Sequence, residues 1–218
     1  MVKPREVETD QGIQGEITVA NYDQFLRSMR DRGWIETDQI IKSGITHGHA
    51  LEIGPGPGYL GLEWLKKTRG TTLTGLDISP DMIACSERNA REYGLSDRVV
   101  YIQSSGSKML LKDGTFDAVF TNGSLHEWAD PTGTFNEIWR VLKPGGRIFI
   151  SDLRRDMPFF LSWFLWLATQ PKAIRPGLIT TINAAYTLNE LSKLIEKTGL
   201  AGCKIEKNPL GLTITGIK

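Results

Sequence analysis

Residues 50–60 read Ala-Leu-Glu-Ile-Gly-Pro-Gly-Pro-Gly-Tyr-Leu, and this stretch decides the fold. It begins as a short apolar run, turns on three alternating glycines, and continues into residues 60–66, where apolar side chains recur at helical spacing. Glycine is needed where the backbone takes a positive φ or approaches a ligand closely, and the following helix offers free N–H groups to a polar ligand. The pattern therefore predicts a strand, a tight loop and a helix that together open a nucleotide-binding βαβ unit.

The glycine spacing bears on which nucleotide is bound. A dinucleotide fingerprint reads Gly-x-Gly-x-x-Gly, whereas here the third glycine comes one residue early, as Gly54-x-Gly56-x-Gly58. An acidic residue, Glu52, stands two places before the first glycine. A carboxylate is a poor neighbour for a pyrophosphate, so the loop favours a ligand with a positive charge.

Composition sets outer bounds on the function. The chain has 218 residues and a formal net charge of +1, which fits one domain and gives no basic field for nucleic acid. Cys85 and Cys203 lie far apart and form no Cys-x-x-Cys or Cys/His cluster, so we expect no metal site and a cytoplasmic location. The most apolar run, residues 159–168, is about half the length that spans a bilayer, so no integral membrane segment is expected.

A second feature agrees with the glycine loop. Residues 71–78 read as strand two, which ends on Asp77, and Ser79-Pro80-Asp81 then supplies an N-cap, a proline and an acidic first turn for a helix that ends at Gly94. Asp77 follows Gly54 at about the separation at which nucleotide-binding folds place the acid that binds the ribose. We therefore expect Asp77 to bind a ribose rather than only to cap the helix.

The quoted motifs resemble those of a known family. Residues 52–58 resemble motif I of the class I S-adenosylmethionine (SAM) dependent methyltransferases, and residues 77–82 resemble their second motif. Residues 135–146, Phe-Asn-Glu-Ile-Trp-Arg-Val-Leu-Lys-Pro-Gly-Gly, are similar to a block of the branch that contains the ubiquinone and menaquinone enzymes. The resemblance covers residues 48–155 strongly, and SAM carries an ammonium and a sulfonium but no phosphate.

The resemblance implies a fold and a set of cofactor contacts. The fold is α/β, a Rossmann-like, mostly parallel sheet of seven strands with helices on both faces and a helical lid. In the family the acid after strand two binds the ribose and the next apolar residue packs on adenine; an Asp usually follows strand three, where this chain has Ser105. The implied cofactor-binding residues are Glu52, Gly54, Gly56, Gly58, Asp77, Ile78, Met82, Ser105, Gly106 and Asn122.

The loop after strand four is where the methyl acceptor should meet the cofactor, because ligands of open α/β sheets lie beyond the carboxyl ends of the strands. His126 matches a family loop and is the candidate base, with a role in orienting the loop as the alternative. Glu127 and Asp130 are expected to be solvated or to cap the next helix. Asp152 follows strand five, and Tyr22, Glu127 and Asp152 are candidate substrate contacts.

Arg154 and Arg155 follow Asp152, and an arginine there could hold a substrate carboxylate. A solvated charged turn is the preferred interpretation of the two arginines.

The remaining segments are predicted from periodicity. Residues 1–18 are expected to be loosely held, helices are predicted at 21–30, 34–42, 132–142 and 188–197, and strands at 98–103, 116–121, 147–152, 201–207 and 210–217. The apolar stretch from 157 to 169 is interpreted first as a lid over an apolar acceptor, then as core, and last as a membrane contact; a homodimer through it is a further expectation. One domain thus comprises a helical cover (1–45), a cofactor core (46–155), the insertion (156–186) and a C-terminal unit (187–218).

These observations favour SAM-dependent methyl transfer to a small, apolar or aromatic acceptor, with S-adenosylhomocysteine (SAH) as product. The alternatives are a SAM-binding protein without transferase activity and an NAD(P) oxidoreductase, which the early third glycine and Glu52 disfavour.

Overall fold

A computed structural model describes residues 3–6 and 12–218. The strands are β1 His49–Ile53, β2 Thr72–Asp77, β3 Val99–Gln103, β4 Phe116–Asn122, β5 Leu142–Leu153, β6 Lys204–Lys207 and β7 Gly211–Ile217. The helices are α1 Glu16–Asp31, α2 Thr37–Lys42, α3 Tyr59–Lys67, α4 Pro80–Tyr93, α5 Pro131–Val141, α6 Phe159–Ala168, α7 Arg175–Ala184 and α8 Leu188–Ile195.

The seven strands form one sheet in the order β3-β2-β1-β4-β5-β7-β6. The first five are parallel, whereas β7 runs antiparallel to both β5 and β6. The predicted mostly parallel, seven-stranded sheet is confirmed. Strand order reverses between β1 and β4, and such a switch point opens a crevice at the carboxyl ends of the strands.

Apolar side chains cover both faces of the sheet. One cluster packs α5 and α8 against it, and the other packs α3 around Trp64, which is fully buried against Phe120 at a ring-centroid distance of 5.5 Å. The Trp64 Nε1–H donates to Ile45 O at 2.9 Å, so the buried indole keeps its hydrogen bond. These two layers pack on the two faces of the sheet at whose edge the crevice between β1 and β4 lies.

Local capping fixes where the helices begin. Ser79 Oγ accepts from Met82 N at the start of α4, Asp130 caps α5 through Gly133 N, and Thr187 forms a capping box at α8. Gly94 ends α4 with a φ of 66°. The predicted caps of α4 and α8 are confirmed. Asp130 was expected to be either solvated or a helix cap, and it caps α5.

Two sequence expectations for the N-terminal region are wrong. α1 begins at Glu16, five residues earlier than predicted. Residues 3–6 and 12–15 are held by specific contacts instead of being loose; Arg5, for example, donates from Nε to Ala184 O at 2.6 Å and from Nη2 to His126 O at 2.9 Å. The remainder of that prediction falls on residues 1, 2 and 7–11, outside the described part of the chain.

The insertion also differs from expectation. Residues 175–184 form α7, which was not predicted because Pro176 and Gly177 usually break helices. Here the proline lies in the first turn, where its missing N–H is not needed. All ten residues of α6 are described, and none of them is buried. The interpretation of α6 as additional core is therefore wrong.

Candidate functional site

The glycine loop turns sharply between β1 and α3. Gly54, Gly56 and Gly58 have φ values of 63°, 53° and 86°, a region that side chains disfavour. A Cβ at Gly54 would lie 2.6 Å from Ser124 Cβ, so the loop also packs too closely for a side chain. Gly58 is the N-cap of α3, and a Cβ on it would lie 2.7 Å from the Tyr101 hydroxyl. Unlike Gly54 and Gly56, it is not among the described residues that line the crevice, so its predicted cofactor contact is not reproduced.

Asp77 lies at the end of β2, directly across from this loop. Its Oδ2 accepts from Gly56 N at 3.1 Å and its Oδ1 accepts from Ser79 N at 2.9 Å. The side chain is largely buried, and burial raises the pKa of Asp77 above its usual range although these backbone hydrogen bonds lower it. A carboxylate has about four acceptor sites, so about two remain for a diol.

These groups converge on one cleft of about 160 Å³. Both apolar and hydroxyl groups line it, including Trp128, Ser107 and Thr134, which the sequence did not single out. The predicted residues that line it are Tyr22, Gly54, Gly56, Asp77, Ile78, Met82, Ser105, Gly106 and Glu127. The cleft therefore brings together the glycine loop, the ribose-binding candidate Asp77 and the candidate adenine contacts.

Residues 12–15, which we call the cover segment, lie across one side of this cleft. Ser79 Oγ donates to Ile13 O at 2.6 Å, and Gly15 N donates to Asp81 Oδ2 at 2.8 Å. A Cβ at Gly12 would lie 2.8 Å from Ile78 Cγ2, so the segment packs directly on the predicted adenine contact. Sequence reasoning missed this segment because its partners lie about 66 positions away in the chain.

Ser105 lies in the cleft where the family usually has an Asp. Its Oγ is 3.1 Å from Ser107 Oγ and accepts from Ser107 N at 3.4 Å. A hydroxyl can still accept a hydrogen bond from an amino group, without the added strength that a charge gives.

Glu52 lies elsewhere than predicted. It is fully buried on the α3 side of the sheet, where a Cβ at Gly61 would lie 2.2 Å from its Oε2, and it does not line the cleft formed by the described residues. Burial raises the pKa of Glu52 to about 8, and Oε2 has no hydrogen-bond partner among the described residues. Side chains alternate along a strand, so Ile53 faces the cleft and Glu52 faces away from it.

Asn122 belongs to a polar cluster at the ends of β4 and β5. Its Nδ2 donates to Glu36 at 3.0 Å and to Ser151 Oγ at 2.9 Å, and Ser151 Oγ donates to Glu36. Burial raises the pKa of Glu36, with a contribution from the nearby Asp152 charge. Asn122 is adjacent to the cleft-lining Gly123 rather than part of the lining, and no sequence motif pointed to Glu36.

His126 and Asp152 form a buried pair. The His126 N–H donates to Asp152 Oδ2 at 2.8 Å, and Nδ1 lies 2.9 Å from the same oxygen. Both side chains are buried and neither is among the described residues that line the cleft. Nε2 lies 3.7 Å from Oε1 of Glu127, which does line it. The geometry thus lets His126 position the loop and reach the cleft through Glu127.

Arg154 and Arg155 do not form the solvated turn that was expected. Arg154 is buried and donates to Pro209 O, while Arg155 donates to Lys3 O at 2.9 Å and pairs with Glu190. Arg155 thus links three chain segments, which argues against its capture of a substrate carboxylate. Arg154 Nη1 makes no hydrogen bond within the described residues, but it is buried 3.7 Å from Asp156 Oδ1 and is not among those that line the cleft.

Fold and site together define the class: a Rossmann-like domain whose cleft brings a glycine loop to a buried carboxylate. The spacing of its glycines differs from that of the dinucleotide fingerprint. Residues 51–150 match the family model described as "Methyltransferase domain". Through these residues the chain is similar to the methyltransferase domains that this model describes.

Individual relatives show the same similarity. The chain is 35% identical over 118 residues to the uncharacterized methyltransferase YdaC of Bacillus subtilis. The aligned region covers 54% of this chain and 63% of that protein. It is 32% identical over 102 residues to a demethylmenaquinone methyltransferase of Thermus thermophilus, over 47% of this chain and 46% of the relative. The chain thus spans less than two thirds of each of these relatives.

A solved SAM dependent methyltransferase from Aquifex aeolicus superposes with a TM-score of 0.65 at 19% identity, covering 84% of this chain and 89% of that one. At this identity the likeness shows the fold alone.

Proposed function

We propose that the protein transfers a methyl group from SAM to a small apolar or aromatic acceptor. The observation that carries the proposal is the meeting, in one cleft, of the glycine loop with a buried carboxylate at the end of β2. Asp77 presents about two unused acceptor sites there, which suits the two hydroxyls of a ribose. The matching family model over residues 51–150 supports the same reaction class.

The chain's own residues divide the binding work. Asp77 would accept both ribose hydroxyls, Ile78 and Met82 would pack on the adenine, and Gly54 and Gly56 would let the backbone approach the amino-acid portion. Ser105 would accept from the adenine amino group. When bound, SAM supplies a methyl carbon already activated by its sulfonium, so the protein mainly aligns the acceptor and excludes water.

The acceptor would enter between Tyr22, Glu127 and Trp128, which give the cleft an aromatic wall and one carboxylate. An oxygen or carbon acceptor must lose a proton, and Glu127 is the titratable side chain that both lines the cleft and lies beside His126. We assign His126 and Asp152 to positioning this carboxylate. The Thermus relative's name, demethylmenaquinone methyltransferase, supports an aromatic, quinol-like acceptor class.

A SAM-binding protein without transferase activity is the alternative, and Ser105 is the observation that favours it, because this residue departs from the Asp that the family usually has in the cofactor site. Titration calorimetry with SAH, with NAD as control, tests the cofactor. Micromolar binding of SAH alone supports the proposal, and binding of NAD alone refutes it.

Formation of SAH from SAM in the presence of a phenol or a reduced quinone then tests transfer. SAH binding without turnover on any phenol, quinol or amine would favour the alternative.

A further inference from the structure

Helix α6 carries a large apolar surface that the fold leaves uncovered. Five of its ten residues are large apolar side chains exposed to solvent, with Phe159 82%, Phe160 67% and Phe164 57% exposed. Trp163 and Leu167 are the other two. The helix contains no charged residue, so neither ion pairs nor a polar face offset the cost of exposing it. An apolar face of this kind needs a partner.

The charge of the chain segment that carries α6 indicates what the partner is. Residues 157–189, all of them described, contain no Asp or Glu but do contain Lys172 and Arg175. Arg175 folds back onto the end of α6, where its guanidinium lies 4.4 Å from the Trp166 ring centroid and donates to Leu167 O at 3.0 Å. Positive charge is thereby placed at the rim of the aromatic surface, although the sequence of α6 itself shows none.

A second copy of the chain fits this surface poorly. Ten helical residues span about 15 Å on a cylinder about 10 Å wide, a footprint well below the roughly 800 Å² per partner that stable interfaces bury. Two copies that packed their α6 helices in parallel would also bring their Lys172 and Arg175 charges together. A bilayer has neither restriction, since it accepts a short helix lying in its plane and attracts basic residues when its headgroups are anionic.

We propose that α6 is a contact surface for an anionic lipid bilayer. Phe159, Phe160 and Phe164 insert at the headgroup boundary, Trp163 lies at the interface, and Lys172 faces the acidic headgroups. α6 begins shortly after β5, whose carboxyl end lies at the ligand edge of the sheet, so the bilayer lies beside the side from which an apolar acceptor would enter. The inference concerns lipid binding and stands independently of methyl transfer.

Flotation of the full chain with vesicles tests the proposal. Phosphatidylcholine vesicles with and without phosphatidylglycerol serve as probes, and Phe160→Gln/Phe164→Gln is the test variant. Leu110→Gln is the matched control, because Leu110 is 96% exposed on the loop between β3 and β4. Lys172→Ala tests the charge. All four positions are exposed, and far-UV circular dichroism confirms that each variant is folded.

We expect wild type and Leu110→Gln to float with phosphatidylglycerol vesicles, and the double variant to bind at least about tenfold more weakly. Lys172→Ala should weaken binding to the anionic vesicles only. Absence of binding to either vesicle, or equal binding by the double variant, overturns the proposal. A wild-type dimer in sedimentation equilibrium that the double variant converts to monomer overturns it in favour of a contact between copies.

Discussion

Replacement of Asp77 by Asn separates ligand binding from stability. Each Asp77 oxygen already accepts one backbone N–H, from Gly56 at 3.1 Å and from Ser79 at 2.9 Å. Asn keeps one acceptor oxygen and places an NH₂ donor where the other stood. At least one charge-assisted acceptor for the ribose is therefore lost, which is worth about 1.5–3 kcal/mol, or about tenfold to 150-fold in Kd.

The same substitution should leave the free protein folded, with a moderate change in stability. Burial raises the pKa of Asp77, so the folded state disfavours the ionised carboxylate. The stability that the protonated carboxyl contributes is therefore lost as the pH rises through the pKa of the folded state. A neutral amide avoids this penalty but turns its NH₂ toward one of the two backbone N–H groups, and the buried donor that loses its acceptor costs about 1–3 kcal/mol. The two effects oppose each other, and we expect the free energy of unfolding to stay within about 3 kcal/mol of wild type.

Titration calorimetry with SAH and urea unfolding of the unliganded protein measure the two quantities. Asp97→Asn is the charge-matched control, because Asp97 is exposed on the loop before β3. A folded Asp77→Asn protein that binds SAH within about twofold of wild type would refute the ribose assignment. Equal weakening by Asp97→Asn would show that overall charge, and not the cleft carboxylate, controls binding.

Three further predictions concern stability and the site. Burial raises the pKa of Glu52 to about 8, so the folded state retains a proton that the unfolded chain releases. Urea unfolding should therefore show the free energy of unfolding falling by up to about 1.4 kcal/mol per pH unit between about pH 4.5 and pH 8, and Glu52→Gln should remove this slope. Gly54→Ala should abolish SAH binding, measured by calorimetry, and should lower stability in thermal unfolding more than Gly70→Ala does. Gly70 is the control because its φ of 64° nearly equals the 63° of Gly54, while a Cβ there would have nothing within 4 Å. Asp152→Asn, which removes the carboxylate that accepts from the backbone N–H of buried His126, should cost about 1.5–3 kcal/mol in urea unfolding. SAH affinity should stay within about threefold, since neither residue is among the described residues that line the cleft.

Each of these has an outcome that contradicts it. A Glu52→Gln protein with an unchanged pH slope would place the titration elsewhere. Equal losses for the two glycine variants would mean that strain alone, without the contact to Ser124, limits the loop. A hundredfold loss of SAH affinity in Asp152→Asn would bring the buried pair into the binding site.

The sequence predicted those parts of the site that depend on local backbone requirements. Three positive-φ glycines, a capped helix start at Ser79 and an acid at a strand end are each encoded within a few residues, and all were placed correctly on elements. Glu52 was misplaced, although the alternation of side chains along β1 contained the signal: if Ile53 faces the ligand, its neighbour cannot.

Contacts between distant segments were beyond prediction. The cover segment and Glu36 acquire their partners only when the chain folds, because no motif links residues 12–15 to Asp81 or Glu36 to Ser151. For α6, periodicity describes how apolar residues are arranged on a helix but not whether another element covers them. Its exposure is a property of the completed fold.

The cover segment has a consequence for the kinetics of ligand exchange. Two hydrogen bonds and the contact of Gly12 with Ile78 attach it to the same turn that would hold the nucleoside. A bound molecule can therefore leave on that side only after these attachments break, so the residence time would be governed by a short stretch of N-terminal backbone rather than by the sheet. Substitutions at Ser79 or Asp81 that loosen this stretch should accelerate both association and dissociation while changing the equilibrium affinity much less.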